Sequence, residues 1–238
     1  MQLPMFLVKR KGMNSGNGSG ASPMDSPFFR EQFKALRAKI DDHFDKDGSK
    51  TLAITSAVAE EGKTITCVNL AMNIANAGRK RVLLVDADMR KTGLARNMRL
   101  KPAPGLSEYL SGSAEIPEIL RNARIPGFTV IPAGTEPPSP ADLLAGEAFR
   151  SFLQYARENF DVVLLDTPPV LPVADAISLR EQVDWFLLVF RAGYTPYPML
   201  KQAVSEIGEQ KVLGVVINRV KLMDDRYYIR YYGKYYRK

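Results

Sequence analysis

The sequence has few of the residues that build disulfides, metal clusters or hydrolytic sites. Its single cysteine, Cys67, excludes an internal disulfide, and its single histidine, His43, leaves no Cys/His set for a metal cluster. That histidine lies in an Asp-rich stretch, which argues against a Ser/His/Asp catalytic triad. No apolar run approaches the roughly 18 residues of a membrane-spanning helix, and the opening residues lack the charge order of a signal peptide. We therefore expect a cytoplasmic protein.

Charge is balanced over most of the chain and concentrated at its two ends. The 238 residues carry a formal net charge of +7, of which residues 1–12 contribute +3 and residues 221–238 contribute +4. The segment between these ends is neutral overall. This distribution argues against a nucleic-acid groove on the folded body and indicates that the ends contact an anionic partner or surface.

Short apolar runs alternate with helical patterns from Lys50 onward. An amphipathic helix is predicted before them, from Ser26 to Phe44. Strands are predicted at Thr51–Ser56, Arg81–Asp86, Phe128–Ile131, Val162–Asp166, Trp185–Phe190 and Val212–Asn218. Apolar strands separated by helices predict an α/β fold in which helices flank both faces of a parallel β-sheet.

The composition divides the chain into three parts. Residues 1–25 include a stretch rich in Gly, Ser, Asn and Pro and are predicted to form a flexible N-terminal segment. Residues 26–220 contain the amphipathic helix and all predicted strands, and we expect them to form one domain. Residues 221–238 have no core-forming pattern and are predicted to form a flexible tail.

The first predicted strand runs into a candidate phosphate-binding loop. In such a loop, backbone N–H groups and a helix N-terminus hold the phosphates, the lysine neutralises them, and the Thr hydroxyl binds Mg²⁺. The first glycine of the usual motif is an alanine in this chain, and the alternative is that Gly-Lys-Thr only begins a helix. The candidate nucleotide-binding residues are Ala57, Val58, Ala59, Glu60, Glu61, Gly62, Lys63 and Thr64, with Thr66 in the first turn of the predicted helix.

Carboxylates follow two further strands at the same predicted sheet edge. Asp86 and Asp88 come after one strand, and Asp166 comes after another. The carboxyl ends of parallel strands share an edge with the phosphate loop, and Mg²⁺ prefers oxygen ligands. A single Asp after a strand is commonly a helix cap. Three such signals at one edge predict a site for a nucleotide and Mg²⁺.

These segments resemble those of the bacterial tyrosine kinases, the autokinases that control capsule and exopolysaccharide synthesis, and the resemblance extends over residues 26–238. Glu31, Lys34 and Arg37 resemble the oligomerisation motif of that family, although its middle position is usually Arg. The resemblance implies a P-loop fold related to the partitioning and MinD-like ATPases, with ATP and Mg²⁺ as cofactors.

The family resemblance also implies partners. They are further copies of the chain in a ring-like homo-oligomer, a transmembrane polysaccharide co-polymerase or adaptor that activates the kinase at the inner face of the membrane, and a phosphotyrosine phosphatase. No nucleic-acid partner is expected.

The same resemblance implies roles for the site residues. Lys63 would contact the β- and γ-phosphates, Thr64 would bind Mg²⁺ directly, Asp86 would orient or deprotonate the incoming tyrosine, and Asp88 and Asp166 would hold metal-bound waters. Arg90 is a candidate charge stabiliser, with an ion pair to a nearby carboxylate as the alternative. Asn218 and Arg219 end the last strand, where related ATPases contact adenine, and a simple polar turn is the alternative.

The loop departs from the family pattern at one position. The family usually has Pro-Gly-x-Gly-Lys, whereas this chain has Ala59-Glu60-Glu61-Gly62-Lys63. If residue 60 requires a positive φ, a non-glycine residue there costs on the order of 1 kcal/mol. A carboxylate beside the phosphates is also repulsive. Weak nucleotide affinity is therefore one expectation.

Six of the ten tyrosines lie in the last twelve residues, in pairs that recur every four residues. The family resemblance identifies them as phosphoacceptors, and the last predicted strand ends at the phosphate-loop edge, from which the tail would emerge. Stacking on single-stranded nucleic acid and anchoring at an anionic membrane are the alternatives. The candidate acceptors are Tyr227, Tyr228, Tyr231, Tyr232, Tyr235 and Tyr236.

Three functions fit these observations. The first is an ATP-dependent tyrosine autokinase that modifies its tail in trans and regulates polysaccharide synthesis and export. The second is an ATPase switch of the partitioning class, which carries a second lysine where Val58 stands in this chain. The third is a catalytically weak regulatory subunit of the polysaccharide machinery. The tyrosine-rich tail favours the first.

Overall fold

A mostly parallel β-sheet organises the residues that the computed structural model describes, which are 4–9, 27–47 and 50–220. In spatial order the strands run β1-β8-β7-β2-β6-β3-β5-β4, and every neighbouring pair is parallel except β4 with β5. The predicted parallel sheet is confirmed. The strands are β1 (Met5–Lys9), β2 (Thr51–Ser56), β3 (Val82–Asp86), β4 (Arg121–Asn122), β5 (Phe128–Ile131), β6 (Val162–Asp166), β7 (Trp185–Arg191) and β8 (Val212–Val220).

Helices connect these strands and cover both faces of the sheet. A 3₁₀ turn at Glu209–Lys211 precedes β8. None of the helices in the described part of the chain combines the length and the apolar character that crossing a bilayer requires. The described helices are α1 (Pro27–Asp47), α2 (Lys63–Ala75), α3 (Gly93–Met98), α4 (Leu106–Leu110), α5 (Ile116–Ile119), α6 (Pro140–Ala145), α7 (Glu147–Asn159), α8 (Asp175–Ser178) and α9 (Tyr197–Ile207).

Alternate side chains of the central strands enter two separate apolar cores. In β3, Leu83 and Val85 belong to the core that α7 and α9 cover, whereas Leu84 belongs to the core that α1 and α2 cover. Successive side chains of a strand point to opposite faces, so both faces must be apolar. Strands β2, β3 and β6 are buried along their whole length, which explains their continuous apolar sequences.

The predicted elements agree closely with the observed ones. The bounds of β2, β5 and β6 are those predicted, and β7 and β8 extend one and two residues further than expected. Helix α1 ends at Asp47 rather than Phe44. The helix predicted to begin at Thr64, after the phosphate loop, is α2 and begins one residue earlier, at Lys63.

Strand β1 is a correction, because the sequence pattern predicts a flexible segment over residues 1–25. It lies at the edge of the sheet and pairs with β8, with Met5 opposite Val215. Phe6 is 9% exposed and packs in the core beneath α1 and α2. Gly214 permits this approach, since a Cβ there would lie 2.6 Å from the Phe6 ring. Residues 1–3 and 10–25 of the predicted segment, and the predicted tail at 221–238, lie outside the described residues.

Candidate active site

The loop between β2 and α2 turns sharply because two of its residues have positive φ. These are Glu60, with φ of 64°, and Gly62, with φ of 98°. A side chain at Gly62 would also collide with Nδ2 of Asn218. Lys63 and Thr64 follow at the N-terminus of α2, where the helix dipole and the first N–H groups favour anions. Strand, loop and helix are thus arranged as a phosphate-binding loop requires.

Glu61 holds this loop from inside the protein. It is 0% exposed, and its carboxylate accepts hydrogen bonds from the Val58 N–H at 2.9 Å, the Arg191 N–H at 3.0 Å and the Thr195 hydroxyl at 2.6 Å. The Asn218 amide donates to the Glu61 carbonyl oxygen at 2.8 Å. These contacts tie the phosphate loop to β8 and to the segment between β7 and α9. The sequence pattern predicts Glu61 as a loop residue and gives no signal of this inward orientation.

Three carboxylates gather with Lys63 where β3 and β6 end. Asp86, at the end of β3, lies opposite Asp166, at the end of the neighbouring strand β6. Asp88 lies two residues after Asp86. All three are buried. The Lys63 Nζ lies 2.8 Å from Oδ2 of Asp88. Burial alone would lower the pKa of Lys63, but the carboxylates of Asp166, Asp88 and Asp86 outweigh it and raise that pKa. The structure therefore brings the predicted lysine and the three predicted acids together.

Asp166 is a buried carboxylate whose two oxygens accept no hydrogen bond of good geometry from the described residues. The nearby Thr64 hydroxyl nevertheless acts to lower the pKa of Asp166. Burial raises the pKa of Asp166 to about 7, opposed mainly by the Lys63 ammonium. An unpaired buried carboxylate is costly, so this group has unused capacity to accept hydrogen bonds or bind a cation.

In contrast to Asp166, Asp86 accepts hydrogen bonds with both of its carboxylate oxygens. One oxygen accepts a hydrogen bond from the Asp88 N–H at 3.2 Å, and the other accepts one from the Leu94 N–H at 3.3 Å. Burial raises the pKa of Asp86 well above its usual value, and the carboxylates of Asp166 and Asp88 raise it further. These contacts fix the turn that leaves β3, so Asp86 orients the loop that carries Asp88.

No group of three Asp, Glu, His or Cys side chains within residues 4–9, 27–47 and 50–220 has the geometry to hold a metal ion. The two carboxylates predicted for Mg²⁺, Asp88 and Asp166, therefore do not belong to a complete set of such ligands, and Thr64 would add one hydroxyl. They would serve a metal ion that also takes ligands from phosphate oxygens and water, which is the usual way in which Mg²⁺ binds beside a nucleotide.

Arg90 forms a bidentate ion pair, which agrees with the alternative considered for it. Its Nε lies 2.8 Å from Oδ2 of Asp175, and its Nη2 lies 3.1 Å from Oδ1. Asp175 is 0% exposed. The signal in the sequence is that Asp175 stands alone among apolar and small residues, where a buried partner would be expected. The role of Arg90 as a charge stabiliser stays a prediction.

The residues predicted to contact adenine have partners within the protein. Besides holding the Glu61 carbonyl, the Asn218 side chain accepts a hydrogen bond from the Arg219 N–H at 2.8 Å. Arg219 has a φ of 56° and forms a bulge in β8, since Val8 lies opposite Asn218 and Lys9 lies opposite Val220. Asn218 therefore supports the phosphate loop, and its contact with a base stays a prediction.

The three residues predicted for oligomerisation behave differently from one another on α1. Glu31 and Lys34 are exposed and form an ion pair of 3.1 Å. Arg37 donates instead to the backbone carbonyl of Asn73 on α2 at 3.1 Å and lies 3.6 Å from Asp41. Two of the three are therefore available at the surface, while the third joins α1 to α2. The six tail tyrosines lie outside the described residues.

An open cavity of about 790 Å³ borders the loop and the start of α2. Lys63 and Thr64 line its floor, and Glu60, Lys91 and Arg96 are among the residues that line its walls. Its volume is that of a small-molecule site. The geometry thus combines a phosphate loop, a lysine, three buried carboxylates and a cavity large enough for a nucleotide.

Comparisons with known proteins agree with this geometry. Residues 49–207 match the family model described as AAA domain. The chain is 35% identical over 193 residues to the tyrosine-protein kinase CpsD of Streptococcus agalactiae serotype III, covering 80% of this chain and 82% of that protein. It is 33% identical over 202 residues to the tyrosine-protein kinase etk of Escherichia coli K12, covering 84% of this chain and 27% of that longer protein.

Solved structures show the same relationship. The kinase domain of the Escherichia coli tyrosine kinase ETK matches with a TM-score of 0.81 at 27% identity, covering 94% of this chain and 92% of that one. The cell division ATPase MinD of Pyrococcus furiosus matches with a TM-score of 0.62 at 23% identity, covering 75% of each chain. The similarity to MinD concerns the fold alone.

Proposed function

Because the chain belongs to the bacterial tyrosine-protein kinases and contains an AAA domain, we propose that it transfers the γ-phosphoryl group of Mg-ATP to the tyrosines of its own tail. The transfer runs in trans, from the site of one copy to the tail of another. The acceptors are the six tyrosines between Tyr227 and Tyr236. The observation that carries the proposal is the cluster of Lys63 with three buried carboxylates at the end of the phosphate loop.

The site residues have different roles in the proposed reaction, according to where they lie. The N-terminus of α2 and Lys63 bind and orient the β- and γ-phosphates, since phosphoryl transfer depends mostly on positioning and charge neutralisation. Burial raises the pKa of Asp86, which makes its carboxylate a stronger base than an exposed one, and we assign it the proton of the incoming tyrosine.

Mg²⁺ fits the same donors. The two unpartnered oxygens of Asp166 and the Thr64 hydroxyl are suited to the ion and its bound waters, with Asp88 beside them. When bound, Mg²⁺ neutralises charge on the phosphates. The buried carboxylates would hold the ion next to the loop, and its positive charge would offset theirs.

The names of the relatives support a proposal for the biological setting. CpsD carries the name of a tyrosine-protein kinase, and another relative is named a putative tyrosine-protein kinase in the cps region. We propose that this kinase regulates capsule or exopolysaccharide synthesis, assembles as a homo-oligomer, and is activated by a transmembrane adaptor at the inner face of the membrane. A phosphotyrosine phosphatase would reverse the modification.

Phosphosite mapping tests the kinase directly. The protein is treated with a phosphatase, incubated with Mg-ATP and mapped by mass spectrometry, beside Lys63→Met and Asp86→Ala. Lys201→Met is the matched control, because Lys201 is an exposed lysine on α9. We expect tail phosphotyrosine in the parent and the control and none in the two site variants. Normal tail phosphorylation in both site variants would contradict the assignment.

A mixing experiment tests transfer between copies. A tail-deleted active chain is combined with full-length Lys63→Met, which supplies acceptors without activity. We expect phosphotyrosine on the inactive chain, at a rate that rises with the concentration of the active one. No transfer in the mixture, with normal phosphorylation of the parent alone, would restrict the reaction to single chains.

A second candidate function is a catalytically weak regulatory subunit, which the positive φ of Glu60 favours. A strained, negatively charged residue in the phosphate loop lowers nucleotide affinity. The two functions differ in turnover. Stoichiometric tail phosphorylation at saturating ATP supports the kinase, whereas ATP binding without phosphorylation supports the regulatory subunit.

A further inference from the structure

One segment beside the site is unusually basic for a body that is neutral overall. Between Asp88 and Glu108 the sequence has no acidic residue, and it contains Arg90, Lys91, Arg96, Arg99 and Lys101. Clustered charge of one sign creates a local potential that attracts oppositely charged ligands, even where the net charge of the domain is zero. This segment includes α3 and the turns on both sides of it.

The structure leaves four of these five charges uncompensated. Arg90 is neutralised by its bidentate pair with Asp175. Lys91, Arg96, Arg99 and Lys101 are exposed, and none of them forms an ion pair within the described residues. These four residues are called the basic rim below.

The basic rim is continuous with the cavity of the candidate active site. Lys91 and Arg96 line the same 790 Å³ cavity as Lys63 and Thr64. The nucleotide phosphates are assigned to the loop and the start of α2, so the rim is not required to neutralise them. A ligand on the rim would therefore lie beside the cavity of the candidate active site, on the side away from β7 and β8.

The charge of the chain's own tail does not match this surface. Residues 221–238 have six basic and two acidic side chains, so the unmodified tail is repelled by the basic rim. A substrate that uses the rim must be acidic, and it must also bring a tyrosine into the cavity. An anionic lipid surface is acidic, but it has no tyrosine to bring into the cavity.

We propose that the basic rim binds acidic residues that flank a substrate tyrosine in a protein other than this chain. The inference rests on the proposed kinase function and adds to it a second class of substrate, acidic tyrosine-containing segments. Charge complementarity of this kind steers association and sets specificity, and it weakens as salt is added.

Peptide binding to the full, dephosphorylated chain tests the proposal. Three fluorescent peptides of equal length carry one tyrosine flanked by Glu, by Gln or by Lys, and binding is followed by anisotropy at low and high salt. The rim variants are Arg96→Gln/Arg99→Gln and Arg96→Glu/Arg99→Glu. The matched controls make the same changes at Arg79 and Arg124, which are exposed, form no ion pair within the described residues, and lie on segments leading into the amino ends of β3 and β5.

We expect the Glu peptide to bind roughly tenfold more tightly than the Gln peptide at low salt, which corresponds to several exposed charge pairs. The Gln variant should reduce this preference, and the Glu variant should reverse it in favour of the Lys peptide. Both controls should retain it. Thermal unfolding of every variant establishes that the domain is folded, and the neutral Gln variant tests the rim even where charge reversal disturbs the fold.

Three results would overturn the proposal. The first is equal binding of the Glu and Gln peptides to the parent. The second is an equal loss of preference in the control variants. The third is rim-dependent binding of vesicles rich in phosphatidylglycerol without binding of the Glu peptide, because the surface would then face a membrane.

Transfer of phosphate in the same samples separates this proposal from the kinase proposal. Normal modification of the tail without any preference for the Glu peptide contradicts the acidic-substrate inference alone. Rim-dependent binding of the Glu peptide, with no transfer to the peptide or to the tail, contradicts the kinase proposal and leaves the docking surface supported.

Discussion

Glu60 occupies a backbone conformation that glycine adopts at little cost. Its φ of 64° lies in the left-handed region, where a side chain costs on the order of 1 kcal/mol. Its carboxylate also lines the cavity beside the N-terminus of α2, which favours anions. This residue therefore opposes both the folded loop and the binding of phosphates.

Replacing Glu60 separates these two effects. Glu60→Gly should raise the free energy of unfolding by about 0.5–1 kcal/mol, because relief of strain exceeds the entropy cost of glycine. Glu60→Gln should leave stability nearly unchanged, and both variants should bind ATP more tightly than the parent. Urea unfolding and calorimetric titration measure the two quantities. Equal stability of all three proteins would show that position 60 carries no strain.

Some site residues are predictable from local rules and others depend on distant contacts. Lys63, Asp86 and Asp166 follow from the rule that the carboxyl ends of parallel strands share one edge. Two of the three partners of the Glu61 carboxylate, Arg191 and Thr195, lie 130 and 134 residues further along the chain. Arg90 and its partner are 85 residues apart. No periodicity within one element contains that information, because the contacts form only after the sheet assembles.

At the scale of elements, α4 is held in place by one carboxylate at its N-terminus. Glu108 accepts hydrogen bonds from the Gly105 N–H at 2.7 Å and the Thr135 N–H at 2.9 Å. Partial burial acts to raise its pKa, but the hydrogen bonds from Thr135 and Gly105 outweigh it and lower the pKa to about 2. The ionised carboxylate therefore stabilises the folded state.

Glu108→Gln should destabilise the protein by about 1–2 kcal/mol at pH 7, a value discounted for solvent screening. The contribution of Glu108 is fully present above its unfolded pKa of 4.5 and is lost as the pH falls toward its folded pKa of about 2. The difference between parent and variant should therefore shrink below pH 4.5. Urea unfolding at pH 7 and pH 3 measures it.

Glu118→Gln is the matched control for this prediction. Glu118 accepts a hydrogen bond from the Glu115 N–H at 2.8 Å in the same capping arrangement, but on the exposed helix α5. It should cost about 0.5 kcal/mol or less. Equal effects of the two substitutions at pH 7, or a Glu108 effect that does not change with pH, would refute the role given to Glu108.

Strand β1 depends on the absence of a side chain at Gly214. A Cβ there would lie 2.6 Å from Phe6 and 2.8 Å from the Pro4 carbonyl oxygen, which accepts the Val215 N–H. Gly214→Ala should therefore release β1, speed hydrogen exchange at Val215 and cost about 1–3 kcal/mol. Deleting residues 1–9 should have the same effect, and combining both changes should add little. If the two losses of stability add fully in the combined variant, Gly214→Ala acts at a site other than β1.

Length decides which elements the sequence reveals. Strands β2, β3 and β6 are buried on both faces and are visible as apolar runs. Helices of four to six residues, such as α3 and α8, are shorter than the window over which helical periodicity can be recognised. Strand β1 has five residues next to a proline and gains its stability from Phe6 and β8, which is tertiary information.

At the scale of the whole molecule, α1 carries an exposed ion pair, Glu31 with Lys34, and one arginine, Arg37, that is bonded to α2. Glu31→Ala/Lys34→Ala should reduce the oligomeric mass measured by light scattering, with stability changed by about 0.5 kcal/mol or less, because the pair is exposed. Arg37→Ala should instead lower the free energy of unfolding by about 1 kcal/mol, through its lost bond to Asn73. An unchanged mass in the double variant would exclude that pair from the interface.

The hydrogen bonds of Glu61 also have a thermodynamic consequence. One buried carboxylate fixes both the phosphate loop, through Val58, and the segment before α9, through Arg191 and Thr195. If the nucleotide favours one arrangement of this segment, a molecule that favours the same arrangement would raise nucleotide affinity, and the nucleotide would raise the affinity of that molecule by the same factor. We therefore expect binding at the segment from Arg191 to Thr195 and binding at the phosphate loop to be thermodynamically coupled.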